Sequence, residues 1–228
     1  MIAIIGAMRE EVEAIQRRMT EITLETIAGH SFMKGKLNHK MVVLFESGIG
    51  LVNAAMALTL ASQHYELTSI LNIGTAGGLH PDLKVLDLIA ANQLTYHDFD
   101  ISVFGNPRSF SPANRMVFQA DPSLLTLLSS LTEIERLHIG PLVSGQQFIS
   151  TEAQVAEISM HYPEALAVEM EGAALAHVAS QLKIPFLVIR SISDLVIHPH
   201  NEMTFDAYLK KASERSAHLC ERLVGLMD

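Results

Sequence analysis

Short, nearly continuous apolar runs alternate with stretches of helical spacing along the whole chain. Met1 to Gly6, Lys40 to Glu46, Thr68 to Ile73, Val85 to Leu94, His138 to Ser144 and Phe186-Leu187-Val188-Ile189 read as strands. Several of these runs lack period-two alternation, which fits strands covered on both faces. Leu24 to Leu37 predicts two short strands or a hairpin around Gly29. Helices are predicted from Arg9, over Leu51 to Tyr65, Pro122 to Leu131, Thr151 to His161 and Gly172 to about Lys183, and from Thr204 or Phe205 to about Leu226. Thr151 and Thr204 are candidate N-caps. Strands alternating with helices predict an α/β fold, a single domain over residues 1–228 with a mixed, largely parallel central sheet flanked by helices.

Composition narrows this picture. The chain has 228 residues, 49% of them hydrophobic, enough for one sizeable core. The net charge is −9 with no basic run, which argues against nucleic acid or an anionic membrane surface as partner. A single cysteine, Cys220, excludes an internal disulfide framework and fits a reducing compartment. Met1 opens directly into a strand without a signal-peptide pattern, and no apolar run approaches a membrane span. The expectation is a cytoplasmic protein.

Candidate chemistry lies where strands hand over to helices, the edge at which open parallel sheets bind ligands. Ala7-Met8 turns the chain into the helix that carries Glu10 and Glu11. Val168-Glu169-Met170-Glu171 precedes an alanine-rich helix, and Arg190-Ser191-Ile192-Ser193-Asp194 ends a buried-type strand. Ser47-Gly48-Ile49-Gly50 and Gly74-Thr75-Ala76-Gly77-Gly78 read as glycine-rich turns, where backbone can approach a ligand. Neither is a GxGxxG or P-loop motif. Glu11, Glu171 and Asp194 on three junctions suit glycosidic cleavage, in which an acid protonates the leaving group, a base activates water and a third carboxylate holds sugar hydroxyls. Phe148, Ile149 and Met170 would sandwich a flat base. Each residue also has a local reading: Glu11 and Glu171 complement a helix dipole, Asp194 closes a turn, and Phe148 fills core.

Taken in order, GAMREE (Gly6 to Glu11), Ser47 to Gly50, Gly74 to Gly78, Tyr96-His97-Asp98, Phe148-Ile149, Val168 to Glu171 and Arg190 to Asp194 resemble the 5′-methylthioadenosine/S-adenosylhomocysteine nucleosidases of the purine nucleoside phosphorylase superfamily. The resemblance spans nearly the whole chain. It implies a nucleoside phosphorylase-like fold and hydrolysis of an adenine nucleoside, with water as co-substrate and no cofactor or metal. It assigns Asp194 as general acid at adenine N7 and Glu11 as the residue that activates water. Glu171 would accept from the ribose hydroxyls, with Met170 beneath the sugar. Phe148 would stack on adenine and Ile149 backbone groups would read its edge. Ser193 and Arg190 would support the acid, and Thr75 would position the water and sugar. Met8 and Glu169, within the matching segments, join the substrate-binding set. Ile49, Phe205 and Ile101 from the second subunit of a homodimer would line the 5′-thio pocket.

The chain departs from the family pattern at Gln146 (usually acidic), Thr75 (often serine), Leu51 (often basic) and His198-Pro199-His200. These positions bear on the 5′ preference. The histidine pair has no clear third ligand for a metal. Phosphorolysis, hydrolysis of a related nucleoside such as 5′-deoxyadenosine or 6-amino-6-deoxyfutalosine, and a non-catalytic nucleoside sensor are the competing readings. Phosphorolysis needs basic residues that are scarce at these junctions, where only Arg9 and Arg190 stand.

Overall fold

Strand β1 (Ile2–Gly6) is buried at every position because it is flanked on both edges and covered on both faces. The computed structural model describes residues 1–106, 117–131, 133–196 and 201–227. In chain order, β1 is followed by α1 (Arg9–Gln16), β2 (Thr20–Ile27), β3 (His30–Leu37), β4 (Lys40–Glu46), α2 (Leu51–His64), β5 (Ser69–Gly78) and β6 (Leu88–Tyr96). A single 3-10 turn (Ser102–Phe104), β7 (Val117–Gln119), α3 (Pro122–Ser129), β8 (Leu137–Ser144) and α4 (Glu152–His161) come next. Then come β9 (Ala167–Glu169), α5 (Gly172–Leu182), β10 (Phe186–Leu195) and α6 (Asn201–Leu226).

The sheet is mixed, as expected. β1 runs parallel to β4 and β5, β10 to β5, β6 to β8 and β8 to β9. The β2–β3–β4 arm and the β10–β6, β5–β9 and β6–β7 pairings are antiparallel. One arm extends from β5 through β1, β4 and β3 to β2, while β5, β10, β6, β8 and β9 close on one another into a ring. The apolar runs Ile2–Ile5, Val42–Phe45, Ile70–Ile73 and Phe186–Ile189 thus meet in one core. Thr151 caps α4, accepting from Gln154 N–H while the Gln154 side chain accepts from Thr151 N–H at 3.1 Å.

Three expectations change. Gly74 to Gly78 is not a turn: β5 runs through it, paired with β10 along one edge and with β9 at Gly77–Gly78 on the other. Its glycines serve close approach, since an added Cβ would lie 2.7 Å from Glu11 Oε1 at Gly74 and 2.4 Å from Val196 Cγ1 at Gly77. The strand expected from Val85 begins at Leu88, because Lys84 N–H donates to Asp87 Oδ2 at 2.9 Å and closes a turn there. Helix α6 starts at Asn201, so Thr204 lies inside it and is not its cap. Three-residue β7, too short to show a period, went unforeseen. Residues 107–115 of the aperiodic stretch after Phe99, and His198-Pro199-His200, lie outside the described residues. Among the described residues, no helix is long and apolar enough to cross a membrane.

Candidate active site

The C-terminal ends of β1, β4, β5, β8, β9 and β10 converge on a cavity of about 340 Å³, within the range that holds small-molecule ligands. Ala7, Met8 and Glu11 reach it from the β1–α1 junction, Ile49 from the turn after β4, and Thr75, Ala76 and Gly77 from β5. Gln147, Phe148 and Ile149 come from the segment after β8, Val168 to Glu171 from β9 and the start of α5, Ser193, Asp194 and Val196 from β10 and beyond, and Phe205 from α6. Of the site residues expected from sequence, only Arg190 and Ile101 do not line it.

Glu11 is buried, and both its oxygens face N–H donors. Oε2 accepts from Ala7 N–H at 2.8 Å and Met8 N–H at 3.2 Å, and Oε1 from Thr75 N–H at 3.0 Å. The helix-terminus reading of Glu11 is therefore half right, since Met8 is the N-cap of α1. Yet the same carboxylate bridges to β5 and lines the cavity. Burial pushes its pKa up, opposed by the Arg190 charge and these N–H groups, which leaves a carboxylate disposed to take a proton.

Glu171 stands at the N-terminus of α5 and accepts from Gly50 N–H at 2.7 Å. That bond fixes the turn between β4 and α2, in which Gly50 adopts a φ of +98° and an added Cβ would meet Gln146 Oε1 at 2.8 Å. Burial, then the neighbouring Glu169 and Glu11, raise the Glu171 pKa to about 8, against Gly50 N–H and Arg190. A carboxyl whose pKa is raised on folding binds its proton more tightly in the native state. Stability from this group is therefore complete below the unfolded value of about 4.3 and declines as pH rises toward 8. Calorimetry from pH 5 to pH 8.5 should show the melting temperature falling, with a shallower fall for Glu171→Gln. Equal slopes in both proteins would contradict the shift.

Glu169 lines the cavity, but its carboxylate is engaged by neighbouring donors. Arg190 Nη2 donates to Oε2 at 2.5 Å, Gly172 N–H donates to both oxygens, and the Ser144 hydroxyl donates to Oε1. Arg190 is 1% exposed and also donates to Asn72 Oδ1 at 2.5 Å. It therefore acts as the buried cation beneath a group of carboxylates and does not contact ligand space, and Glu169 is its partner. Ser193 Oγ donates to Asp194 Oδ1 at 2.8 Å, so the hydroxyl orients that carboxylate. Phe148 and Phe205 meet edge to face at 5.6 Å between ring centroids and form an aromatic wall at the mouth. Ile101, half-buried, precedes the 3-10 turn outside this cavity.

Sequence reasoning missed Asn72, Ser144, Gln147 and Val196. Asn72 carried a signal, a lone amide inside the apolar run of β5. Ser144, Gln147 and Val196 carried none, because their roles depend on elements distant in sequence. Gln146 holds the α2 N-terminus, accepting from Leu51 N–H at 2.9 Å, while its own N–H donates to Asp98 Oδ2 at 2.7 Å.

Residues 1–225 match the family model described as the phosphorylase superfamily. A 5′-methylthioadenosine/S-adenosylhomocysteine nucleosidase of Staphylococcus epidermidis is 38% identical, over 98% of this chain and 99% of the relative. The chain belongs to the 5′-methylthioadenosine/S-adenosylhomocysteine nucleosidase family of the phosphorylase superfamily. The solved nucleosidase of S. pneumoniae, with a transition-state inhibitor, superimposes with a TM-score of 0.95 at 31% identity, covering 100% of this chain and 99% of that one. A futalosine hydrolase of Helicobacter pylori superimposes with a TM-score of 0.94 at 33% identity, covering 99% of this chain and 97% of that one. The nucleosidase fold thus accounts for the whole described chain, the β2–β3–β4 arm included.

Proposed function

We propose that this protein hydrolyses the N-glycosidic bond of 5′-methylthioadenosine and S-adenosylhomocysteine, releasing adenine and the thioribose product. The observation that carries this reading is the convergence of Glu11, Glu171 and Asp194, from three separate junctions, on one cavity walled by Phe148, Ile149 and Met170. The departing adenine must gain a proton at N7 as the bond lengthens, and Asp194 supplies it. Glu11 takes a proton from the attacking water, and Thr75 helps hold that water. Glu171 orients the ribose hydroxyls above Met170, and Met8 packs beside them. Ile49 and Phe205 bound the 5′ substituent. Arg190, Glu169 and Ser193 position this set from beneath or beside it. The whole chain, residues 1–228, works as one nucleosidase domain in the cytoplasm, without a cofactor.

Hydrolysis is favoured over phosphorolysis by the charges. None of the described residues lining the cavity is Lys or Arg, Arg190 is committed to Glu169, and Arg9 pairs with Glu13 on the surface. Adenine release from methylthioadenosine should proceed at one rate with or without phosphate and yield the free sugar. A phosphorylated sugar as main product would overturn the reading. The same carboxylates serve a related adenine nucleoside, and the likeness to a futalosine hydrolase supports 6-amino-6-deoxyfutalosine as the second substrate to try.

The reading includes a homodimer in which Ile101 of each subunit completes the other's 5′ pocket. Exposed Ile49 at the cavity, Val52 and Met56 on the α2 helix that follows it, and Val103 and Phe104 next to Ile101 support it as apolar surface needing cover. A monomeric mass by sedimentation at micromolar concentration would rule it out.

A further inference from the structure

Strand β10 carries an irregularity where its chemistry begins. Its register against β5 runs Ser191 to Thr75 and Ile192 to Ala76, then shifts so that Asp194 faces Gly77 and Ser193 is the extra residue. Such a bulge re-aims the side chains that follow it. On the opposite edge, the β10–β6 ladder ends at the pair Ser191–Leu88. Beyond it the turn before β6 takes over. Leu86 N–H donates to Ile192 O at 2.7 Å, and Ile192 N–H donates to Asp87 O at 2.8 Å. Ile192 is thus held to that turn through both its N–H and its carbonyl, immediately before the bulged residue.

The turn is itself fastened by a charged group that the reaction does not use. Asp87 is 1% exposed. Its carboxylate is gripped by Arg136 through Nε and Nη2, accepts from Lys84 N–H at 2.9 Å and lies 3.2 Å from His138 Nε2. Burial opposes the charge, but the hydrogen bonds from Arg136 and Lys84 outweigh it and hold the carboxyl below its ordinary range. Arg136 O in turn accepts from Leu88 N–H at 3.0 Å. Leu86 adopts a φ of +73°, a left-handed conformation unfavourable for a branched side chain. It persists only where the surroundings over-determine it.

We propose that Asp87 is a positioning residue for Asp194: clamped by Arg136, it holds the Leu86–Asp87 backbone against Ile192 and so sets the bulge that aims the Asp194 carboxylate into the cavity. The proposal rests on the acid role of Asp194 given above. Asp87 touches no substrate, and its influence passes only through the strand backbone.

The test compares Asp87→Asn and Arg136→Gln, each alone and combined with Asp194→Asn, with methylthioadenosine as substrate. Each single variant should lower kcat by about ten- to a hundredfold, the scale of a small misplacement of a catalytic group, with KM within about twofold. The limb of the kcat–pH profile that belongs to the acid should move. In the Asp194→Asn background the same substitutions should have no further effect, because coupled residues are not additive. A loss of equal size in both backgrounds, or one confined to KM, would overturn the proposal. Should Asp87→Asn fail to fold, Arg136→Gln carries the test, because the Arg136 side chain is 43% exposed. If Asp194→Asn is impaired while both variants are silent, positioning alone is wrong. If Asp194→Asn turns over normally, the acid assignment fails and this proposal with it.

Discussion

Asp194→Asn should lower kcat for methylthioadenosine by about 100- to 10,000-fold, the usual contribution of general acid catalysis, or roughly 3 to 5 kcal/mol of transition-state stabilisation. The substitution preserves shape, and the asparagine carbonyl can still accept from Ser193 Oγ, which lies 2.8 Å from Asp194 Oδ1 in the native protein. What it removes is a transferable proton. Adenine departs poorly as an anion, so the loss falls on the transition state while substrate affinity stays within about tenfold. Steady-state adenine release measures both quantities. An unchanged kcat would move the acid elsewhere and leave Asp194 as a residue that closes a strand.

Glu11→Gln is the second large effect, and it separates the two readings of that residue. Both Glu11 oxygens face backbone N–H groups, from Ala7 and Met8 on one side and Thr75 on the other. A glutamine in either orientation sets its NH2 against a donor, leaving at least one buried N–H unpaired at about 1–3 kcal/mol. Removing a buried acid whose charged form is disfavoured offsets part of that loss. A modest fall in melting temperature is therefore expected. The fall in kcat should be much larger, about 100- to 10,000-fold, because an amide cannot take the proton from water. Loss of stability with kcat retained would mean that Glu11 serves only to terminate α1 and tie it to β5.

Much of the fold was legible in the sequence because it is local. Lys40–Glu46 reads as a strand from its apolar run, and the structure has the same bounds. Thr151 announces a helix start as a candidate N-cap, and in the structure it caps α4. Arg9 likewise begins α1 and Gly172 begins α5, as their neighbours require. The carboxylates were legible by position, because each follows or ends a strand. Their family-like order named the chemistry before any geometry was known.

Other features were decided by contacts between distant residues. Gly74 to Gly78 has the composition of a turn, and local propensity favours one. Pairing with β10 along one edge and β9 on the other makes it strand, and the missing side chains admit Glu11 and Val196. Glu169 and Glu171 are two residues apart, chemically alike and both at the cavity, yet one is taken by Arg190 and the other accepts from Gly50 N–H. Glu171 is held by Gly50, 121 residues away in sequence. Spacing along the chain determines which side chains are buried and where the backbone turns, because those depend on neighbours within a turn or a strand. Which carboxylate meets a cation, which meets a backbone N–H and which remains for a ligand depends on strand order and register, and only the folded chain sets those.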